Sequence, residues 1–162
     1  MEGARAARVD DVARVAELAR MAIAELRTQR GGRLWASREA RAEPLDASLE
    51  AALTDGVHLV IVGTIDETVI GYGVVHLEHL RDDRPLAVID DLYVEPDARG
   101  VGVGEVMMDE ILSWARDHRA AGVDAFTLPG NRATKNFFEA HGLTARAILV
   151  HRDLSSDIDG AP

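Results

Sequence analysis

The sequence predicts an α/β protein built on one mixed sheet, and three observations carry that reading. The chain has 162 residues, 47% of them apolar and 28% charged, a size and balance that suit one domain with a substantial core. Its apolar residues change period part-way along, from three- and four-residue spacing near the start to β-branched runs after residue 57. A glycine cluster, "RGVGVG" from Arg99 to Gly104, then separates a long β-type run from an amphipathic helix.

Taken in order, a short strand near Ala4 to Ala7 leads to Asp10 and Asp11, which suit a helix N-terminus. Val12, Val15, Ala16, Ala19, Ala22, Ile23 and Leu26 then share one helical face, and Gly31 and Gly32 in "QRGGRLWAS" break it. Pro44 at a first turn, with Leu45, Leu49 and Leu53 behind it, predicts a second helix. "HLVIVGTI" and "TVIGYGVVHLEHL", joined by Asp66 and Glu67, predict an antiparallel hairpin, and "LAVIDDLYV" (86–94) a third long strand. After the glycines, Val103, Met107, Ile111, Trp114, Ala115 and His118 form the stripe of a helix. "VDAFTL" (123–128) reads as a strand, "NRATKNFFEAHG" as a short helix capped by Asn131, and "LTARAILVHRDL" as a last strand. Residues 1–152 make one domain, and 153–162 a polar tail. This order predicts a mixed sheet and excludes a doubly wound repeat.

Composition narrows the function. There is no cysteine, which excludes disulfides, thiolate metal sites and a thiol nucleophile. A net charge of −10 and the lack of a basic stripe argue against nucleic acid as a partner. No apolar run reaches the roughly 18 residues of a membrane span, and "MEGARAARVDD" offers no secretory signal, so a cytoplasmic protein is expected. The six histidines are scattered along the chain, and no metal site is expected.

Three glycines at the mouth of a helix forfeit roughly 1 kcal/mol each against alanine. Bare backbone there leaves the first N–H groups of the helix free, at the positive end of its dipole, and Arg99 adds a fork of donors. A pyrophosphate suits such a cradle. It is not the phosphate loop of nucleotide hydrolases, because Glu105 and Val106 follow Gly104 in place of Lys and Ser or Thr. The dinucleotide fingerprint also fails, its spacing after Gly102 being one residue short.

Arg-x-x-Gly-x-Gly at Arg99, Gly102 and Gly104, followed some 30 residues on by "NRATKNFFEAHGL", resembles the GNAT superfamily of acyl-CoA-dependent N-acetyltransferases. The likeness runs from "RAARVDDVARVAELAR" to "AILVHRDL". It implies a mixed, mostly antiparallel sheet of six to seven strands, flanked by about four helices, with a V-shaped splay between the fourth and fifth strands. It further implies acetyl-CoA as acyl donor, with Leu92, Tyr93 and Val94 along its pantetheine arm. The backbone of Arg99, Gly100, Val101, Gly102, Val103 and Gly104 would hold the diphosphate, with Asn131 and Phe138 facing the ligand. The acceptor would be a small-molecule amine or a peptide amine, and the resemblance admits a homodimer.

In this reading the amine attacks the thioester directly, without an acyl-enzyme. Direct transfer needs a held amine, a route for its proton and an oxyanion donor. By resemblance the donor is the N–H of Val94. Asp91 and Asp90 are the candidate bases; strand alternation puts them on opposite faces, so that only one can meet a given cleft. Asp91, Trp35 and Glu78 are the candidate acceptor contacts, with His76 beside Glu78. Relatives often carry a tyrosine general acid in the pattern N-x-x-A-x-x-x-Y-E; here Phe138 stands at that place and Thr134 at the alanine. That change is the ground for an alternative, a scaffolding or regulatory protein that binds acyl-CoA with little turnover.

Overall fold

The computed structural model describes residues 1–155. Its centre is a five-stranded sheet in the order β1-β2-β3-β4-β5, formed by β1 (Glu2–Ala6), β2 (His58–Ile65), β3 (Thr68–His79), β4 (Pro85–Val94) and β5 (Val123–Ala125). The first four strands pair antiparallel, and β5 joins β4 in parallel. Five helices flank it: α1 (Val12–Arg27), α2 (Gly32–Arg38), α3 (Leu45–Thr54), α4 (Val103–Asp117) and α5 (Arg132–Ala140).

Strand alternation divides the core in two. Val60, Val62, Tyr72 and Val74 face α1 and α3, whose Val15, Leu18, Ala19 and Leu49 meet them. Ile61, Val75 and Ile89 face the other way, onto Met107, Met108 and Ile111 of α4 and Phe138 of α5. Gly63 lets α4 lie close, because a Cβ there would come within 2.4 Å of Met107 Sδ and 2.6 Å of Val103 Cγ1. Buried this fully, each Leu or Ile contributes about 1.5–3 kcal/mol.

Three expectations are corrected. The described sheet has five strands where six to seven were expected, because 143–154, "LTARAILVHRDL", joins no strand and Ile148, Leu149 and Val150 lie exposed. The fifth strand is also shorter than the run 123–128, ending at Ala125. Among the described residues there are five helices where about four were expected, since "GRLWASR" coils into α2 after the break: Gly31 takes a left-handed φ of 78° as its N-cap. The last residues of the polar tail, 156–162, fall outside the described residues.

Candidate active site

The β4–β5 pairing holds for only three residue pairs, Ala87 with Val123, Val88 with Asp124 and Ile89 with Ala125. Beyond them β4 runs on to Val94 with β3 on one side and, among the described residues, no strand on the other. A cleft of about 310 Å³ opens along that free side, and Asp91 to Val94, Phe126 to Leu128, Trp35, Arg99, Gly100 and Asn131 line it. The orientation of the β4 backbone follows from one hydrogen bond. Glu95 donates its N–H to the Ile70 carbonyl at 2.9 Å, so alternation turns the N–H groups of Val94 and Leu92 away from β3, toward the cleft.

At the end of β4 the chain makes a short 3-10 turn, Pro96–Ala98, and enters the glycines. Gly100 and Gly102 adopt left-handed φ of 79° and 94°, which L-residues other than glycine rarely take. Gly102 is the N-cap of α4, and Val106 is the first residue to donate a helical hydrogen bond, to the Gly102 carbonyl at 3.1 Å. Among the described residues, the amides from Gly100 to Glu105 have no protein acceptor, which leaves a run of donors at the helix N-terminus. Gly104 is small for a different reason: a Cβ there would sit 3.2 Å from Phe137 Cε2.

Arg99 departs from expectation. Its backbone N–H is bonded to the Pro96 carbonyl. Its guanidinium donates to both carboxylate oxygens of Glu25 on α1, at 3.0 and 2.9 Å, and its Nε to the Val94 carbonyl at 2.9 Å. The cation also stands 5.3 Å from the Tyr93 ring centroid, and the Glu25 bonds raise its already high pKa. Arg99 therefore ties α1 to the cleft rim, and the donors left to an anion are the amides that follow it. Glu25 had no signal in the sequence beyond its place on a polar helix face.

The two carboxylates also behave differently from expectation. Val74 pairs with Asp91 and Val75 with Ile89, so Asp90 is the extra residue of a β-bulge. The bulge interrupts alternation. Asp91 reaches Tyr72, whose hydroxyl donates to it at 3.4 Å, and Asp90 reaches His76 Nδ1 at 2.7 Å; Tyr72 and His76 share one face of β3. Both acids thus lie toward α1 and α3. Asp91 is held by Arg41, whose Nε and Nη2 donate to Oδ2 at 3.0 and 2.6 Å, each side chain being only 11% exposed. Burial pushes the Asp91 carboxyl up from its ordinary value, against the pull of Arg41, and pushes the Tyr72 hydroxyl well up. Arg41 and Tyr72 were missed by sequence reasoning, and only their pairing with Asp91 marks them.

The remaining candidates divide. Trp35, on α2, lines the cleft, as do Tyr93, Asn131 and Phe138. Asn131 caps α5, its Oδ1 accepting from the Thr134 N–H at 3.2 Å. Phe138 and Tyr93 are both buried, and burial raises the Tyr93 hydroxyl pKa, with Glu25 adding to the rise. Glu78 does not line the cleft; it lies on the exposed end of β3, its Oε2 4.0 Å from His76 Nε2. The histidines are less scattered in space than along the chain. Register pairs His58 with His76, and with Asp90 they place three potential ligand atoms within 4.8 Å of one another.

The profile of the acetyltransferase (GNAT) family matches residues 22–143. The fold and the cleft therefore define a class, and the chain belongs to the GNAT acetyltransferase family. Solved structures share its architecture. A tetramutant of the BH1408 protein of Bacillus halodurans is 25% identical, with 93% of this chain and 99% of that one covered and a TM-score of 0.78. An aminoglycoside acetyltransferase, meta-AAC0020, from an uncultured soil metagenomic sample, solved with sisomicin, is 16% identical over 94% of each chain, TM-score 0.71. A ribosomal-protein-alanine N-acetyltransferase from Brucella melitensis is 15% identical over 94% and 99%, TM-score 0.69. No curated protein sequence matches the chain significantly.

Proposed function

We propose that the protein transfers an acetyl group from acetyl-CoA to a primary amine by direct attack. The observation that carries this is the run of amides from Gly100 to Glu105, without an acceptor among the described residues, at the head of α4, next to a strand whose free side opens into the cleft. Those amides suit a diphosphate, and the outward N–H groups of Leu92 and Val94 with the Leu92 C=O suit the amide-bearing pantetheine arm, the Val94 C=O being taken by Arg99 Nε. The ligand supplies a thioester carbonyl open to attack; the chain's own groups do the rest.

The Val94 N–H donates to the carbonyl oxygen as negative charge develops there. The amine attacks as the neutral base, its ammonium proton having gone to solvent, and Asp91 accepts the second proton, which the nitrogen gives up as the C–N bond forms and the C–S bond breaks, the thiolate leaving as the anion. Arg41 occupies its Oδ2 at 3.0 and 2.6 Å, whereas Oδ1 has only the longer bond from the Tyr72 hydroxyl at 3.4 Å, so Oδ1 is the oxygen that takes the proton. Burial, which raises the proton affinity of Asp91, makes it a better acceptor than a solvated carboxylate. Phe138 cannot protonate the sulfur, and the Tyr93 hydroxyl stands among Glu25 and Arg99. A thiol of pKa about 8.5 leaves without such help. The acceptor end, lined by Trp35, Tyr72 and Asp91, suits a small amine or the terminus of a peptide.

Two measurements test this. Calorimetry with CoA should show saturable binding, and incubation with acetyl-CoA and a panel of primary amines should release free thiol in step with acetylated product. Saturable binding with no thiol release across a broad panel would favour a non-catalytic acyl-CoA binder instead. No binding at all would remove both readings.

A further inference from the structure

Six histidines scattered along the chain predict no metal site, but strand pairing brings two of them together. His58 opens β2 and stands directly opposite His76 of β3 in the antiparallel register, so both imidazoles project from one face of the sheet. Their ring centroids are 5.7 Å apart and their planes are tilted by 43°. Asp90 joins them from β4. It is the extra residue of the bulge between Ile89 and Asp91, and its Oδ2 lies 2.7 Å from His76 Nδ1. A bulge is a device for re-aiming one side chain. Here it completes a cluster of two imidazoles and a carboxylate whose ligand atoms lie within 4.8 Å of one another.

The surroundings of the cluster suit a cation. Asp55, just past the end of α3, accepts the N–H groups of Val57 and His58 on Oδ1 at 3.0 and 3.1 Å, and its Oδ2 is 2.5 Å from His58 Nδ1. That contact fixes the ring and leaves Nε2 as the nitrogen available to an ion, which is how carboxylates orient metal-binding imidazoles. Glu78 Oε2 stands 4.0 Å from His76 Nε2, within reach as a further ligand or as the holder of a bound water. The side chains of His58, His76 and Asp90 are 25%, 28% and 31% exposed, enough to admit an ion. Little movement is needed. The gap between His76 Nδ1 and Asp90 Oδ2 has to open only to about 3.3 Å, the ligand–ligand distance of a tetrahedral site with bonds of about 2.0 Å.

We propose that His58, His76 and Asp90 bind one divalent transition-metal ion of the zinc class, with water or Glu78 completing its coordination. Two imidazoles and a carboxylate suit zinc and its first-row neighbours, whereas magnesium and calcium take oxygen ligands. The ion ties β2, β3 and β4 together at the bulge. Asp90 also lines the cleft and is next in sequence to Asp91, so the metal braces the stretch of β4 that carries the candidate base. The site consists of this chain's own side chains, and its existence does not rest on acetyl transfer.

The full chain, stripped with a chelator and exchanged into metal-free buffer, is titrated with zinc chloride by calorimetry. The expected result is saturable binding of one ion per chain with a rise in Tm, and no such binding of magnesium. His58→Gln and His76→Gln should each weaken zinc binding at least about 10-fold, and Asp55→Asn, which alters only the orienting contact, about 10- to 100-fold. His118→Gln, an imidazole bonded instead to the Trp114 carbonyl on α4, should bind as the wild type does. Cobalt chloride gives a second readout: a visible absorption band of a low-coordinate ion in the wild type, lost in Asp90→Asn. Far-UV spectra confirm that each variant is folded. Absence of saturable zinc binding would overturn the proposal. So would one-site binding that survives both histidine changes, or that His118→Gln weakens equally. CoA titration of the metal-free chain is read separately, so failure here is distinguishable from failure of the acyl-CoA reading.

Discussion

Replacing Gly100 or Gly102 by alanine gives the sharpest test of the diphosphate cradle, because the strain has to appear somewhere measurable. Both residues sit at left-handed φ, 79° and 94°, where an L-residue costs about 1–2 kcal/mol. Contact adds little: a Cβ at Gly100 meets nothing within 4 Å, and one at Gly102 comes no closer than 3.6 Å, to Glu2 Cγ. If the free loop keeps its shape, the whole cost falls on stability, and Tm drops by about 2–8 °C for a chain of this size. If the loop relaxes when empty, the cost returns on binding, and the Kd for CoA rises about 5- to 30-fold. The sum of the two is therefore constrained even though the division is not. Gly56 is the control, since its φ of 77° carries the same strain with open space around it in a turn outside the cleft; Gly56→Ala should lower Tm and leave the Kd alone. Scanning calorimetry and titration calorimetry at one fixed salt concentration supply both numbers. Alanine at Gly100 and Gly102 with both Tm and Kd unchanged would refute the reasoning, as would a Gly56→Ala protein with equally weakened CoA binding.

Asp91→Asn should lower kcat/KM about 10²- to 10⁴-fold with the Kd for CoA held. Burial raises the Asp91 pKa above 3.8, so the acid limb of the wild-type rate profile should lie above that value and vanish from the residual rate of the variant. The same shift has a stability sign: the native carboxyl keeps a proton that the unfolded one has lost, so this contribution weakens as pH rises from 3.8 to the native value and is flat above it. Asp11 has the opposite sign. Bonds from Arg5 at 2.7 and 3.0 Å lower its pKa, and the Arg8 N–H adds to this, so its contribution is present above 3.8 and lost as pH falls through the lower native value. Asp11→Asn should therefore cost about 1.5–3 kcal/mol near neutrality and progressively less in acid, as denaturant melts at several pH values would show. Gly63→Ala, whose Cβ would press on Met107 and Val103, should cost about 1–3 kcal/mol; an unchanged Tm would mean that α4 packs less closely than described.

How much of this was legible beforehand varies with the range of the interaction. Helix α1 announces itself through Val12, Val15, Ala16, Ala19 and Ala22, because a 3.6-residue period needs only neighbours in sequence. The glycine loop was legible for the same local reason: left-handed φ at Gly100 and Gly102 is a property of the chain at that point. Helix α2 was not, since Gly31 and Gly32 look like a stop and serve as a start.

The sequence by itself determined the periods, the order of most elements, the strand that carries Asp90 and Asp91, and the bare amides at the head of α4. Tertiary structure alone decided which partners those groups meet. Arg41 reaches Asp91 across 50 residues and Arg99 reaches Glu25 across 74. The bulge that swings Asp90 toward His76 exists only because β3 and β4 pair out of step by one residue. Local conformation is settled by sterics within a few residues, whereas a side chain's partner is settled by which distant surfaces burial brings together, and one extra residue in a strand is enough to redirect a carboxylate.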